Sequence, residues 1–376
     1  MTLQECCQIP VLGYLNCYIT RRMRWRRFLC AAIFAGMMVG LYNVAALISV
    51  SSKVLGFNEL FDRWQGPVRR STVWMGPVEA DVYLGANSRT PALIVHGVNE
   101  TGKNSLELKQ VAEALAGSGF RVVVPQLVRL TRQNVTPADV DDVVALFRSL
   151  DADGGMICAS YGCGPALIAA SRPEIRDRVR FVLTFGAYYD LTETLRYVVT
   201  GPESPLAYSK WLYMIANADL LGTDDRAELS LIAAERMRET TEHWRLFGER
   251  LSPDARGLLS LFESQDASEF DRRLEQLPAF KDRLERLSPS RYFDGIRAEL
   301  IIVHMNPDPC IPADESARMA EAAKARHIPN TLTMLDMQGH TRPAWPQMGV
   351  RNLFDFYVPG AWQFGKVVRQ LLSLAG

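Results

Sequence analysis

Ser160 stands in a segment whose residue types suit nucleophilic chemistry. It follows the apolar run Met156–Ala159 and precedes Gly162, Gly164 and an Ala-rich stretch. A strained corner between a buried strand and a helix lifts a serine Oγ towards substrate, and small neighbours let the corner close. The backbone N–H groups at the start of the helix then face a developing oxyanion. Because Cys158 replaces the first glycine of G-x-S-x-G, an ordinary strand-to-helix turn is the alternative.

Two further polar residues follow predicted strands farther along the chain. Asp308 comes after the predicted strand Glu299–His304, and His340 comes after the predicted strand Thr331–Asp336. Each lies just past the carboxyl end of a predicted parallel strand, the edge at which open α/β sheets place their sites. A serine, a histidine and an aspartate that converge there predict acyl transfer, with His340 accepting the serine proton and Asp308 orienting the imidazole.

The elements that position these residues are apolar strands that alternate with helices. Strands are predicted at 68–75 and 78–84, around Gly76-Pro77, and at 92–96, 121–125, 155–159, 180–186, 299–304 and 331–336. Helical patterns occupy 105–119, 137–150, 164–172 and 312–326. Continuously apolar strands that alternate with helices predict a mostly parallel eight-stranded α/β sheet covered by helices on both faces.

This alternation stops between residues 201 and 288, where charged, helix-forming sequence takes over. Apolar residues keep helical spacing beneath the charges, which indicates a solvated helical face. We therefore expect a helical cap at 201–288, inserted between two parts of one core at 68–200 and 289–376.

The quoted residues, taken in this order, resemble the α/β-hydrolase superfamily, and the dienelactone-hydrolase-like and esterase branches most closely, over residues 68–376. ELIIVHMNPDPCIP matches that family's strand followed by D-x-x-[VI]-P, and LDMQGH resembles the loop that delivers its histidine. The order Ser, Asp, His is the one this fold uses. The resemblance implies an α/β-hydrolase fold with Ser160 as nucleophile, Asp308 as acid and His340 as base. Asp190, at a strand end where some relatives keep their acid, is the alternative to Asp308.

The same resemblance implies an oxyanion hole made of backbone N–H groups. The loop His96–Gly102 follows the third strand, where the family builds half of this hole. We expect the donors to be the amides of Val98 and Tyr161. The HGGG form found in some lipases is absent from the sequence, and a plain turn is the alternative for the loop. His96 and His304, each at a strand end, are expected to be hydrogen-bonded structural residues.

Composition narrows the classes of function. Lys and Arg total 42, as do Asp and Glu, so no global charge recruits nucleic acid. No glycine-rich phosphate loop or metal-ligand cluster predicts a cofactor or a metal. The seven cysteines have neither an even number nor zinc-ligand spacing, so we expect no zinc site and no disulfide framework, with Cys158 and Cys163 as small buried residues.

The N-terminal region carries a membrane signal. Five arginines within residues 21–27 precede 28–50, a run of 23 residues without a charge. As a helix this run measures about 34 Å, enough to cross a hydrocarbon core of about 30 Å. The positive-inside rule places basic residues 1–27 in the cytoplasm and the hydrolase domain outside, after an amphipathic connector at 51–67. A cleaved signal peptide and a buried core helix are the alternatives.

The sequence therefore predicts a single-pass membrane protein that cleaves a small-molecule carboxylic ester or related acyl compound. Peptidase, thioesterase and acyltransferase chemistry could use the same three residues, since each passes through an acyl-serine. A membrane-tethered scaffold that has lost activity is the alternative from another class, because the first glycine of the elbow is missing.

Overall fold

An eight-stranded sheet forms the centre of the structure. The computed structural model describes residues 67–201, 207–237, 250–337, 339–340 and 358–375. The strands are Arg69–Met75 (β1), Val78–Leu84 (β2), Thr90–Val95 (β3), Phe120–Pro125 (β4), Gly154–Ala159 (β5), Val179–Phe185 (β6), Glu299–Met305 (β7) and Asn330–Leu335 (β8). Each lies within two residues of its predicted bounds, so the strand prediction is confirmed.

The order of the strands is β1-β2-β4-β3-β5-β6-β7-β8. β2 runs antiparallel to both β1 and β4, whereas β4, β3 and β5 to β8 are parallel to one another. The predicted mostly parallel sheet is therefore confirmed. Its parallel strands end at one common edge, where β3, β5, β7 and β8 deliver the loops that carry the candidate site.

Helices cover both faces of this sheet. Those of the described residues are Leu106–Gly117 (α1), Val128–Thr131 (α2), Pro137–Arg148 (α3), Cys163–Ala170 (α4), Leu191–Thr200 (α5), Ala207–Asn217 (α6), Thr223–Met237 (α7), Pro253–Phe262 (α8), Ala267–Leu274 (α9), Pro278–Arg286 (α10), Ala313–Ala325 (α11) and Val358–Ser373 (α12). The four helices predicted from the core sequence correspond to α1, α3, α4 and α11.

Capping residues explain where several of these helices begin. The Ser105 hydroxyl accepts the Leu108 amide N–H at the start of α1. α3 starts at Pro137 after Thr136, whose amide N–H donates to the Asp139 carboxylate at 2.7 Å. Such side chains satisfy backbone groups that have no partner within the helix.

Strand side chains alternate between two apolar layers. Leu93, Met156 and Val182 point into the layer that contains α3, α4 and α11. Ile94 and Ile157 point into the opposite layer, against α1 and α12. Strands buried on both faces need apolar residues at every position, which is why the sequence shows continuous runs here.

Helices α6 to α10 occupy the described part of the predicted insertion at 201–288. α6 packs against α7, and α8 packs against α9. The end of α6 reaches the candidate site, where Asn217 Nδ2 donates to the Tyr161 hydroxyl at 3.3 Å. The boundaries proposed for the cap and the two core parts stay a prediction.

The predicted membrane segment, residues 28–50, lies outside the described residues, as do the basic N-terminus 1–27 and nearly all of the connector 51–67. Among the residues that are described, no helix combines the length and the apolar character needed to cross a membrane.

Substitution of Gly155 tests the packing at the centre of the sheet. It pairs with Phe181 across β5 and β6, and a Cβ at Gly155 would lie 2.1 Å from the Phe181 ring. Because this ring is fully buried, Gly155→Ala should lower the free energy of unfolding by about 1–3 kcal/mol in urea denaturation. Gly222→Ser, where the added Cβ meets open space and serine remains a good N-cap for α7, is the control and should change it by less than about 0.5 kcal/mol. Equal effects of the two substitutions would contradict this packing.

Candidate active site

Ser160 occupies a strained turn at the end of β5. Its φ of +53° lies in the left-handed region, which is rare for a residue other than glycine. The turn lies in close contact with the loop His96–Gly102 that follows β3, called the β3 loop below. A Cβ at Gly162 would lie 2.2 Å from the His96 carbonyl oxygen, and one at Gly97 would lie 3.0 Å from Ser160 Cβ. Only glycine fits at Gly162 without moving backbone, so the small residues predicted around the elbow have a steric cause.

Ser160, His340 and Asp308 form one chain of hydrogen bonds. Ser160 Oγ lies 2.6 Å from His340 Nε2, and His340 Nδ1 lies 2.7 Å from Asp308 Oδ2. The structure therefore brings together the three residues that the sequence singled out, at the carboxyl edge of the sheet.

The Asp308 carboxylate is buried but accepts several hydrogen bonds. Its Oδ1 accepts the amide N–H groups of Cys310 at 2.7 Å and Ile311 at 3.0 Å. Burial alone would raise the pKa of Asp308, but hydrogen bonds from His304 and His340 outweigh it and bring the pKa to about 2. An ionised Asp308 accepts a hydrogen bond from the Nδ1–H group of His340. The other ring nitrogen, Nε2, then carries no hydrogen and can accept the Ser160 hydroxyl proton.

His304 is a neighbour of this site whose contact with Asp308 the sequence analysis missed. Its Nε2 lies 3.3 Å from Asp308 Oδ2 and 3.0 Å from the Ile311 carbonyl oxygen, while its Nδ1 lies 2.7 Å from Ser316 Oγ. Because both neighbours of Nε2 are acceptors, Nε2 carries the hydrogen and donates it. The separation of four residues from Asp308 was the only signal in the sequence, and it does not specify a loop geometry.

His96 is a hydrogen-bonded structural residue. The Leu127 amide donates to His96 Nε2 at 3.2 Å, and His96 Nδ1 lies 2.8 Å from the Gly97 carbonyl oxygen. Burial lowers the pKa of His96 despite that carbonyl contact. A neutral ring with its proton on Nδ1 therefore connects the β3 loop to the segment that follows β4.

A buried ion cluster anchors the far end of the β3 loop. Lys103 Nζ lies 2.9 Å from Asp81 Oδ1, and Arg70 and Thr72 also donate to the Asp81 carboxylate. Burial would raise the pKa of Asp81, but hydrogen bonds from Lys103, Thr72 and Arg70 lower it. The loop that contains Val98 is thus held at Lys103 by the ion cluster and at Gly97 by contact with Ser160.

Val98 and Tyr161, the predicted oxyanion donors, lie on the two segments that meet at this contact, and both line the cavity that contains Ser160. Tyr161 packs its ring against Tyr188 and Tyr213, with centroids 5.6 and 5.0 Å away. This packing fixes the residue directly after the candidate nucleophile.

Cys158 and Cys163 are buried as expected, but they form a disulfide, so the expectation of no disulfide framework was wrong. The turn at Ser160 brings their Cα atoms to 5.0 Å, within the usual disulfide range of about 4.4–6.8 Å. Sequence spacing alone could not predict this approach, because residues five apart on a strand or a regular helix do not meet in this way. The bridge spans the elbow and closes a small ring that contains the serine.

The Cys310 thiol completes a group of potential metal ligands with Asp308 and His340, whose ligand atoms all lie within 4.8 Å of one another. Both nitrogens of His340 already take part in hydrogen bonds. Burial raises the pKa of Cys310 to about 12, so without a bound metal the thiol is protonated near neutral pH. Asp308 and His340 are thus both used in the hydrogen-bond chain to Ser160 rather than directed at a shared metal position.

Asp190, the alternative acid, has another role in the structure. It is the N-cap of α5, where its Oδ1 accepts the Thr192 and Glu193 amides, and its Oδ2 accepts the Ser290 hydroxyl at 3.0 Å. His340 contacts Asp308 instead.

Comparison with known proteins bears on the fold. None of the protein-family models matches this chain, and a search of curated proteins likewise finds no match. Among solved structures, a puromycin-hydrolyzing peptidase of Mycobacterium tuberculosis is similar, with a TM-score of 0.50 and 16% identity over 85% of this chain and 40% of the peptidase. A hyperthermophilic esterase from the archaeon Pyrobaculum calidifontis has a TM-score of 0.42 and 16% identity, covering 90% of this chain and 93% of the esterase.

The similarity to the peptidase and the order of the strands show that this chain has an α/β-hydrolase fold. The chain spans about two fifths of the peptidase, so the likeness concerns the fold alone.

The disulfide across the elbow should contribute measurably to stability. A cross-link that closes so small a ring is worth about 2 kcal/mol through the entropy of the unfolded chain. The double variant Cys158→Ala/Cys163→Ala should lower the free energy of unfolding by at least that amount, and a reductant should affect the wild type but not the variant. Mass spectrometry after alkylation of the denatured protein checks the bond directly. Free thiols at both positions in protein purified without reductant would contradict it.

Proposed function

We propose that this protein is a serine hydrolase that cleaves a carboxylic ester or a related acyl compound through an acyl-enzyme. The observation that carries the proposal is the continuous hydrogen-bond chain from Ser160 through His340 to Asp308. A strained serine at the end of a central strand, next to a histidine with an available nitrogen, is the arrangement that activates a hydroxyl for attack.

In the proposed reaction, Ser160 Oγ attacks the substrate carbonyl carbon as its proton moves to His340 Nε2. The bond to the alcohol oxygen then breaks, and His340 returns the proton to that leaving group. Water attacks the remaining acyl-serine by the same route and releases the acid. Throughout both steps, Asp308 holds the ring of His340 in place and stabilises its positive charge.

The negative charge that develops on the carbonyl oxygen needs preorganised donors. We assign this role to the backbone amides of Val98 and Tyr161. The close approach of Gly97 to Ser160 supports the assignment, because it brings the β3 loop beside the start of the elbow helix. Donors placed in this way are typically worth about 3–4 kcal/mol each in the transition state.

We also propose that residues 28–50 anchor the protein in a membrane and that the hydrolase domain lies on the extracytoplasmic side. The charge asymmetry around that segment is the main support. The Cys158–Cys163 disulfide is a second one, since disulfides persist mainly in oxidising compartments.

Fluorophosphonate labelling tests the central step. The wild type should react at Ser160, with the modified peptide mapped by mass spectrometry, because an adjacent base activates this hydroxyl. Ser160→Ala should abolish labelling and the hydrolysis of p-nitrophenyl acetate. Folded wild type that stays unlabelled would exclude the enzyme and favour the inactive scaffold. A panel of matched ester, thioester and amide substrates separates esterase from thioesterase and peptidase activity.

Substitution of Asp308 and of Asp190 tests which of the two aspartates orients His340. Asp308→Asn should lower kcat by about ten-thousand-fold, because an amide favours the wrong tautomer of His340. Asp190→Asn keeps a good N-cap residue and should leave kcat within a few-fold of the wild type. The reverse ranking of the two variants would assign the acid to Asp190.

A further inference from the structure

A cavity of about 1150 Å³ begins at Ser160 and His340 and continues along one face of the sheet. Its floor includes Ile94, Ile157 and Leu183, which lie side by side on β3, β5 and β6. α1 and α12 form the walls over this face, and Leu212, Tyr213 and Ala216 of α6 also line the cavity. On α12 the lining residues extend from Gly360 to Leu371, a span of twelve residues or about 16 Å of helix. The cavity therefore leads from the serine into the layer between the sheet and these two helices.

The lining of this cavity differs in character from one element to the next. Polar lining residues belong mainly to the β3 loop and the first turns of α1, such as Asn99, Glu107 and Gln110. The described lining residues of the strands and of α12 are apolar, including Phe364 and Val367. A ligand would thus keep its polar group near Ser160 and bury an apolar part beyond it.

The size of the cavity indicates a ligand site rather than a packing defect. Protein interiors leave few voids larger than a water molecule, and pockets for small ligands span about 300–1,000 Å³. A methylene group takes roughly the 30 Å³ share of a water molecule in the liquid, so a twelve-carbon chain needs roughly 400 Å³. The cavity has room for such a chain together with the reacting group.

Two large apolar side chains are exposed on the helices that form the walls. Leu106, at the start of α1, is 66% exposed, and Trp362, near the start of α12, is 70% exposed. Each lies within two residues of side chains that line the cavity. These two exposed side chains mark where the helices meet solvent beside the cavity.

We propose that this cavity binds the acyl chain of the substrate, so that the protein hydrolyses esters of long-chain fatty acids. The proposal rests on the serine-hydrolase function proposed above. The acyl part is assigned here because it stays bonded to Ser160 while the alcohol leaves and water enters. A deep apolar cavity suits the part that is retained, whereas the alcohol needs a path out.

The test measures kcat/KM for p-nitrophenyl esters from acetyl to hexadecanoyl, below the concentrations at which they form micelles. A second series keeps the acetyl group and lengthens the alcohol. Wild-type kcat/KM should rise roughly two- to fourfold per methylene in the acyl series up to at least ten carbons, mainly through KM. The alcohol series should stay within about threefold.

A variant that partly fills the cavity, compared with a control variant on the outer side of α12, tests the site. Val367 is buried in the wall on α12, and Val367→Phe should lower kcat/KM for the dodecanoyl ester at least tenfold while the acetyl ester changes less than twofold. Arg369→Phe adds the same ring on the exposed side of α12 and should leave both values unchanged. If Val367→Phe fails to fold, Val367→Met makes the same test with a smaller loss.

Each part of the proposal can fail separately. Fluorophosphonate labelling at Ser160 without any gain along the acyl series would exclude the acyl-chain site and leave the hydrolase intact. A gain confined to the alcohol series would overturn the assignment to the acyl part. Equal losses on the acetyl and dodecanoyl esters in Val367→Phe would likewise contradict the site. An unlabelled serine with no ester cleaved would instead remove the hydrolase function itself.

Discussion

The strained backbone of Ser160 is the constraint on which the rest of the site depends. A left-handed residue at the tip of β5 is unfavourable by itself, so surrounding contacts must hold it there. The disulfide between Cys158 and Cys163 closes the turn, and the absence of side chains at Gly97 and Gly162 lets the β3 loop pack against it. Once the hydroxyl is fixed, the loops after β7 and β8 bring the carboxylate and the imidazole to it.

Sequence patterns predict the strands well, because a parallel sheet covered on both faces requires continuous apolar runs. Asp308 and His340 could be predicted for a related reason, since the ends of such strands share one edge. The disulfide and the contact between His304 and Asp308 could not, because both depend on the path of a turn. The cavity was also missed: the sequence shows which residues of α1 and α12 are apolar, but not whether their side chains fill the space beside the sheet.

Electrostatics and apolar packing divide the site into two regions. Around Asp308, donated hydrogen bonds keep a buried carboxylate ionised at neutral pH, and this carboxylate orients the His340 ring. The cavity residues contributed by the strands and by α12 are apolar. Together with the proposed anchor at 28–50, this division is the basis of our proposal that the protein is an enzyme that stays at a membrane and receives hydrocarbon chains from it. Leu106 and Trp362, which are exposed on α1 and α12, lie beside residues that line the cavity.

A crystal structure of the protein after reaction with p-nitrophenyl dodecylphosphonate tests the central claim most directly. The account predicts a covalent bond from phosphorus to Ser160 Oγ, with one phosphonate oxygen within hydrogen-bond distance of the Val98 and Tyr161 amides. The dodecyl chain should lie between the sheet and helices α1 and α12. A phosphonate bonded to another residue would contradict the triad, and a chain lying outside that layer would contradict the acyl-chain site.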